Sequence, residues 1–298
     1  MTDPSTCPLC GFSDEARLGA SQGSRLVRCK SCRLTYQDPR PSVEMVRAYY
    51  DQNIYVDPKQ SDHIDQRRRT LFVDFLERVQ LEGHGRLLDV GCGTGEFLQL
   101  AKAKGWNAYG VEVSLEAVEV ANRHGLPVYL GNLPDQGRTD LSFPDQSFDM
   151  VTLWNVLDVF PRPVDQIREV CRILVPGGRV FIRTPNECFH LAAYRLSRLF
   201  PWPQAFVRLM RDAYIFHPLL WSPRSIRLLL QRVGFAGINI WNSPLSGGDP
   251  YRVVREEREN LVRLIKNIVY GVAQVASACS GSRLLIGSSI SILARKAK

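Results

Sequence analysis

Two sets of residues in this 298-residue chain have the types and the spacing that chemistry needs. The first is Cys7-Pro-Leu-Cys10 with Cys29-Lys-Ser-Cys32, two C-x2-C pairs separated by 18 residues. That interval fits a four-cysteine zinc site, in which each pair wraps a tight turn and aims both thiolates at one ion. Four thiolates leave no open coordination position, so the ion expected at Cys7, Cys10, Cys29 and Cys32 is structural Zn2+. Gly11 eases the first turn, whereas the second carries Arg33. The second set is Arg86 to Leu98, RLLDVGCGTGEFL. Leu87, Leu88 and Val90 give the apolar run of a buried parallel strand, and Asp89 interrupts it. Gly91, Gly93 and Gly95 turn the chain with little bulk, and Glu96-Phe97-Leu98 begins a helix. Strand, glycine turn and helix N-terminus form a loop that a charged, ribose-bearing cofactor can approach closely. A turn made for packing alone would not need Asp89, because a carboxylate in a buried strand requires partners to offset its desolvation.

The elements around the loop must hold it in a sheet. Asn107 to Val113 reads as the next strand, with Glu112 near its tip and Ser114 capping a helix that runs to about His124. A carboxylate there has two acceptor oxygens for two ribose hydroxyls. Pro127 to Leu130 is a third strand, followed by Gly131-Asn132-Leu133 where an adenine edge would lie. Phe148 to Trp154 is a fourth, with Asn155-Val-Leu-Asp158 at its carboxyl end, the end at which open α/β sheets bind ligands. Asp165 to Leu174 reads as a helix, Pro176-Gly-Gly178 as a turn and Arg179 to Thr184 as a fifth strand. Ser225 to Val233 is a helix, Phe235 to Trp241 a strand and Leu284 to Ala294 the last strand. The alternation predicts an α/β sheet with helices on both faces. Upstream, Ser42 caps a helical segment and Leu71, Phe72, Phe75, Leu76 and Val79 form an apolar stripe that packs on the sheet. The aromatic Tyr49 to Tyr55 stretch would be either core or a lid. The Arg67-Arg68-Arg69 run is read first as a solvated face and second as a carboxylate or phosphate clamp.

Composition narrows the setting more than the activity. The chain is 45% hydrophobic and 23% charged, with a net charge of +8 and a mean hydropathy of −0.15. Mild basicity without long runs fits an anionic substrate, a membrane surface or RNA, and selects none of them. No basic start leads into an apolar core and no stretch reaches the roughly 20 apolar residues of a spanning helix, so a cytoplasmic location is expected. In a reducing compartment the clustered cysteines mean metal rather than disulfides.

DVGCGTGEF, Glu112, SFPDQSFDMVTLWNVLDVF and ILVPGGRVFIRTPN together resemble the class I S-adenosylmethionine-dependent methyltransferases of the type 11/23 branch. The likeness runs from about Leu71 to Gly237, with a final strand at Ser288 to Arg295. The CPLCG to RCKSCRLTYQDPRP segment is similar to the zinc-ribbon extension of some bacterial members. A dinucleotide oxidoreductase would require G-x-G-x-x-G, and here Glu96 holds the last position, where it would repel a pyrophosphate. The resemblance implies a Rossmann-like, seven-stranded, mostly parallel sheet with helices on both faces, a small N-terminal zinc ribbon and a helical cap. It implies a ribbon at 1–41, a helical lid or linker at 42–85 and a methyltransferase domain at 86–298 with insertions at 186–221 and 251–279. Gly91, Gly93 and Gly95 would border the methionine tail of S-adenosylmethionine, with Asp89 ordering water or the ammonium there and Cys92 filling space in the loop. Glu112 would hold the ribose and Val113 pack on the adenine, Asn132 and Leu133 would flank its edge, and Trp154 and Asn155 would line the channel to the acceptor.

An oxygen acceptor benefits from a base, ideally histidine. Where many relatives carry Glu-His after the fourth strand, this chain has Asp158-Val159, which leaves His190, His217 and Asp158. Phe216-His217-Pro-Leu-Leu-Trp221-Ser222-Pro223 resembles the H-L-Y-H-F-S-P segment of the family, with His217 on its first histidine. His217 with Asp158 is therefore the catalytic assignment; the alternative for His217 is a histidine that orders its loop. The absence of an N-P-P-Y-type sequence argues against an exocyclic base nitrogen as acceptor. Asn186 to Trp221 is too long for a plain loop, and its apolar helical faces and arginines read as a cap that chooses the acceptor. Leu261, Leu264, Ile265, Ile268, Val272 and Val275 give the second insertion an apolar face that would pack on the cap or on a second copy in a homodimer. The function expected is methyl transfer to an oxygen of a small molecule, glycan or lipid-linked intermediate, with peripheral membrane contact left open. An RNA methyltransferase gripping RNA through the zinc module is the alternative, and the module's few interleaved aromatic and basic residues disfavour nucleic acid. A cofactor-binding protein without catalysis is a third reading.

Overall fold

Apolar strands and capped helices alternate along the chain in the computed structural model, which describes residues 6–21, 24–42, 44–48, 68–79, 85–133, 141–199, 217–245, 256–281 and 284–297. The aromatic stretch at 49–55, Arg67 and residues 200–216 of the expected cap lie outside the described residues. Three strands open the chain, Glu15–Ser21 (β1), Ser24–Cys29 (β2) and Thr35–Asp38 (β3). The helix Arg69–Arg78 (α1) follows, then Arg86–Val90 (β4), Glu96–Ala103 (α2), Asn107–Glu112 (β5), Leu115–Arg123 (α3) and Val128–Leu130 (β6). Phe148–Trp154 (β7), Pro163–Ile173 (α4), Leu174–Pro185 (β8) and Glu187–Leu199 (α5) come next. Leu219–Leu220 (β9), Pro223–Arg232 (α6), Phe235–Asn242 (β10), Glu256–Cys279 (α7) and Ser289–Lys296 (β11) complete the order.

The main sheet has seven strands in the order β10-β11-β8-β7-β4-β5-β6. From β8 through β6 neighbours run parallel, and β11 pairs antiparallel with both β8 and β10. The sheet is the expected Rossmann-like, mostly parallel one. Its strands are apolar on both faces because both are covered: Leu87, Met150 and Phe181 face one buried cluster, and Leu88, Val151 and Ile182 face the other. On the first face α1 supplies the predicted stripe of Leu71, Phe72, Phe75, Leu76 and Val79. The glycine turn at Pro176–Gly178 is an excursion within β8, where the partner of Phe148 is Leu174 and that of Met150 is already Arg179.

Local chemistry sets the helix starts. Ser114 accepts the Ala117 N–H at 3.5 Å, as its type predicts, and Ser222 and Ser225 form a reciprocal capping box ahead of α6. Pro163 and Pro223 occupy first-turn positions that need no N–H donor. Ser42 Oγ accepts the Met45 N–H at 3.2 Å and opens a short helical turn over 44–48.

A second, four-stranded sheet has the order β1-β2-β3-β9. Its last strand comes from far down the chain: Thr35 pairs with Leu220 and Tyr36 with Leu219, antiparallel. Val27, Leu34 and Tyr36 of this small sheet share one apolar cluster with Trp221, Ile226 and Leu229, so its core is continuous with one face of the main sheet. On α7, Leu264, Ile268, Val272 and Val275 are exposed, while Ala273 is buried against β10 and its carbonyl accepts from Asn242 Nδ2 at 3.0 Å. Among the described residues no helix is long and apolar enough to cross a membrane.

Candidate active site

An open cleft lies at the carboxyl ends of β4, β5 and β7, where α/β sheets of this kind bind ligands. Asp89, Gly91, Cys92, Gly93, Glu112, Val113, Asn132, Trp154 and Asn155 line it, nine of the positions read from the sequence. Gly91 takes φ +71, and a Cβ there would stand 2.5 Å from the Val156 side chain, so only glycine lets the loop pass. Gly91 and Cys92 donate their N–H groups to the Val111 carbonyl at 2.7 and 3.2 Å, which pins the first turn to the second strand. Glu112 completes the clasp. One of its oxygens accepts the Gly93 N–H at 2.9 Å and the other accepts those of Val113 and Ser114 at 2.8 and 3.0 Å. A carboxylate oxygen has capacity beyond one such bond, so ribose hydroxyls can still be accepted.

Asp89 is buried and accepts the Thr152 hydroxyl at 2.7 Å. Burial pushes its carboxyl up to about 8; the Thr152 hydrogen bond and the Arg68 charge pull it down, and Glu112 adds to the rise. A cationic group brought into the cleft would reverse that penalty. Arg47 and Arg68 also line the cleft, whereas Arg69, the next residue of the arginine run, is exposed to solvent. Cys92 is buried and its thiol is raised well above the ordinary range by burial and by Glu112 and Asp89, which leaves it no nucleophilic character. Gly95 and Leu133 are not part of the lining. Gly95, at φ +89, is packed on Leu126 where α2 begins, and Leu133 is fully buried in the core.

The acid–base candidates come together. His217 Nδ1 lies 2.7 Å from Asp158 Oδ2, with Asp158 in the 3-10 turn that follows β7 and one residue ahead of the cleft-lining Val159. Because a carboxylate only accepts, Nδ1 is the donor and Nε2 is left with its lone pair in the neutral ring. The His190 ring packs edge-on at 5.3 Å between centroids, and its Nε2 donates to the Ser288 carbonyl at 3.1 Å. All three groups proposed from sequence therefore occupy one place. Arg183 escaped that reading. Its side chain donates from Nη1 to Asn155 Oδ1 at 2.5 Å and from Nε to Ser243 Oγ at 2.8 Å, and its backbone carbonyl accepts the Asn155 N–H at 2.8 Å. Asn155 sits at φ +58, and Arg183 holds it there. An arginine directly after the apolar run Val180-Phe181-Ile182 was the available signal.

The four predicted cysteines converge as well. Cys7 and Cys32 sulfurs are 3.4 Å apart, Cys10 and Cys29 3.5 Å, and all four lie within 4.8 Å of one another. The close contacts run between the C-x2-C pairs rather than within them. A tetrahedron of thiolates around zinc sets sulfurs about 3.8 Å apart, so the cluster is of the right size for one such ion. Each pair sits in the same knuckle: Cys7 N–H donates to Phe12 and Cys29 N–H to Leu34, while Gly11 and Arg33 donate back to the cysteine carbonyls. Arg33 adopts φ +68 beside φ +76 for Gly11, so the uneven sequence gives two equal turns. Cys7 is held down to about 5 by the hydrogen bond from Cys32, whose own thiol is raised, and burial raises Cys29. A metal bound here would displace those protons.

The fold, the glycine loop and the acidic clasp define a class I S-adenosylmethionine-dependent methyltransferase. Residues 63–240 match the "Methyltransferase domain" family Methyltransf_23, and the chain belongs to that family. Among curated proteins it is 36% identical over 132 residues to the ubiquinone biosynthesis O-methyltransferase of Xanthomonas oryzae pv. oryzae, covering 42% of this chain and 55% of that protein. It is 34% identical over 122 residues to the enzyme of the same name from Hahella chejuensis, covering 39% and 50%. The chain thus spans about half the length of the curated relatives it matches. The solved structures similar to it include Haemonchus contortus phosphoethanolamine N-methyltransferase 2, with a TM-score of 0.55 and 18% identity over 89% of this chain and 63% of that one. A Thermotoga maritima S-adenosylmethionine-dependent methyltransferase superposes with a TM-score of 0.52 and 17% identity over 84% and 99%. At these identities the structures speak to the fold.

Proposed function

We propose that the protein transfers a methyl group from S-adenosylmethionine to an oxygen of a small-molecule, glycan or lipid-linked acceptor, with His217 as the base. The observation that carries this reading is the 2.7 Å hydrogen bond between His217 and Asp158 at the carboxyl end of β7. When bound, S-adenosylmethionine supplies an activated methyl group on a sulfonium. Asp89 takes the cationic end of the methionine tail and Arg68 its carboxylate, Glu112 takes the ribose, and Asn132 flanks the adenine. Asn155, held by Arg183, lines the passage from cofactor to acceptor. Asp158 fixes the His217 ring and stabilises the imidazolium that forms when Nε2 takes the acceptor proton. Alignment of the acceptor does much of the rest. O-methylation is the named activity of the curated relatives, which supports the oxygen acceptor. The four cysteines bind zinc structurally.

The direct test is transfer of labelled methyl from the cofactor to fractionated cellular lipid, glycan, small-molecule and RNA pools. Label in a hydroxyl-bearing lipid, glycan or metabolite is expected. Label confined to RNA, or tight cofactor binding without transfer to any pool, overturns the proposal.

A further inference from the structure

We infer that the four-cysteine ribbon is a positioning element for the His217–Asp158 pair, so that the metal bound by the cysteines controls acceptor chemistry while leaving cofactor binding alone. The inference rests on the proposed role of His217 as base. Three contacts lead from the cysteines to the histidines. First, β3 accepts β9 as its neighbour, and the Gln37 N–H donates to the carbonyl of Pro218 at 2.9 Å. Pro218 follows His217 directly, so the chain that carries the base is in effect the outer strand of the ribbon sheet. Second, the ribbon grips the start of α5. Arg28 Nη2 pairs with Glu187 at 2.7 Å, and the Thr35 hydroxyl donates to the same carboxylate oxygen. Glu187 is buried at the first position of α5, its N–H donates to the Trp221 carbonyl at 3.0 Å, and His190 stands one turn further on. The Tyr194 hydroxyl on the same helix bonds both the N–H and the carbonyl of Ala20 at 3.2 Å, and it lies so close to Gly19 that a Cβ there would be 2.0 Å away. Third, Arg232 at the end of α6 donates to the Leu9 carbonyl at 2.6 Å, between the first two cysteines.

His190 therefore stands between two ribbon contacts on α5 and His217 directly ahead of another at Pro218, and Trp221 Nε1 ties the same segment to the Leu157 carbonyl at 3.3 Å, next to Asp158. The cofactor clasp is anchored differently, by Thr152 on β7 and by the backbone of its own loop. The second cysteine knuckle, Cys29 to Arg33, joins the end of β2 to the start of β3, so a metal held by the four thiolates fixes the root of the strand that pairs with β9. Releasing the metal should loosen β3, and with it β9 and the His217 ring, before it reaches the clasp.

The test uses the full chain, zinc-loaded, chelator-treated and zinc-restored, read by amide hydrogen exchange, by the ring N–H signal of His217 and by affinity for S-adenosylhomocysteine. Chelation is expected to lower protection of the Gln37 and Leu220 amides, which the β3–β9 ladder holds, by tenfold or more and to abolish the His217 Nδ1–H signal. Cofactor-product affinity should stay within threefold, and zinc should restore both signals. Unchanged protection at Gln37 and Leu220 with an unchanged ring signal overturns the inference. If chelation unfolds the core, Glu187→Gln decides, because it leaves every cysteine in place. With zinc content unaltered it should weaken protection of the His190 and Leu220 amides several-fold, and no change there overturns the inference. These readouts do not use turnover. His217→Gln with full turnover would refute the base, and the exchange result would then still report whether the ribbon orders the segment.

Discussion

The two halves of the site are built in opposite ways. The cofactor half is local: Asp89, Gly91, Gly93 and Glu112 come from two consecutive strand-to-helix turns, and their hydrogen bonds run within those turns or to the adjacent strand. The proposed acid–base group is assembled from afar, with Asp158 after β7, His217 ahead of β9, which pairs with the small sheet, and His190 on α5. Local construction makes a site robust and readable. Distant construction makes it adjustable, since any element in the chain of contacts can move the base without disturbing the donor.

The sharpest way to separate the halves is His217→Gln. It should lower kcat by about a hundredfold or more, the range of general base catalysis, with cofactor Kd within threefold; steady-state kinetics beside calorimetry would check this, and an unchanged kcat would break the division. Asp89 gives the next effect, in stability. The unfolded chain releases this proton near 4, whereas the native carboxyl keeps it to about 8. Ionisation of the unfolded state therefore erodes native stability as pH rises from about 4 to about 8 and levels off above that, by on the order of 5 kcal/mol at most. Asp89→Asn keeps the acceptor for Thr152 and should flatten the curve, leaving the variant more stable than the parent at pH 8 in urea titrations while it binds cofactor more weakly. Glu112→Gln is the mirror of His217→Gln. Its amide turns a donor toward backbone N–H groups, so cofactor affinity should fall by about tenfold or more, in keeping with the cost of mispaired buried donors, while kcat at saturating cofactor changes far less. The smallest effect belongs to the ribbon. Arg33→Gly removes a left-handed non-glycine residue and should raise the ribbon's thermal or chelator resistance by about 1 kcal/mol or less, after the entropy cost of glycine in the unfolded chain.

The same contrast explains what the sequence disclosed. Strand β7 was legible to the residue and β5 to within one, because a buried parallel strand announces itself as a mostly apolar run between polar turns. The cysteine cluster was legible because its spacing is its geometry. The meeting of His217 with Asp158 was not, since 59 residues separate them and no periodicity records a contact at that range. The pairing of β9 with the ribbon was hidden for another reason: two leucines are too short a strand to alternate, and their partner lies in another module. Arg183 was hidden by its company, as a charged residue near the end of an apolar strand reads as an interruption until Asn155 and Ser243 are seen around it.

The two-residue strand β9 also has a consequence in time. Thr35 and its partner Leu220 are about 185 residues apart in the chain. At a synthesis rate of about 5–20 residues per second, the first three strands of the ribbon would leave the ribosome roughly 10–40 s before the fourth exists. For that interval the edge of β3 is open and the cysteines must find their ion without the rest of the sheet. The ribbon's first three strands are thus made well before its fourth, and its sheet closes only when the segment that carries His217 has been made.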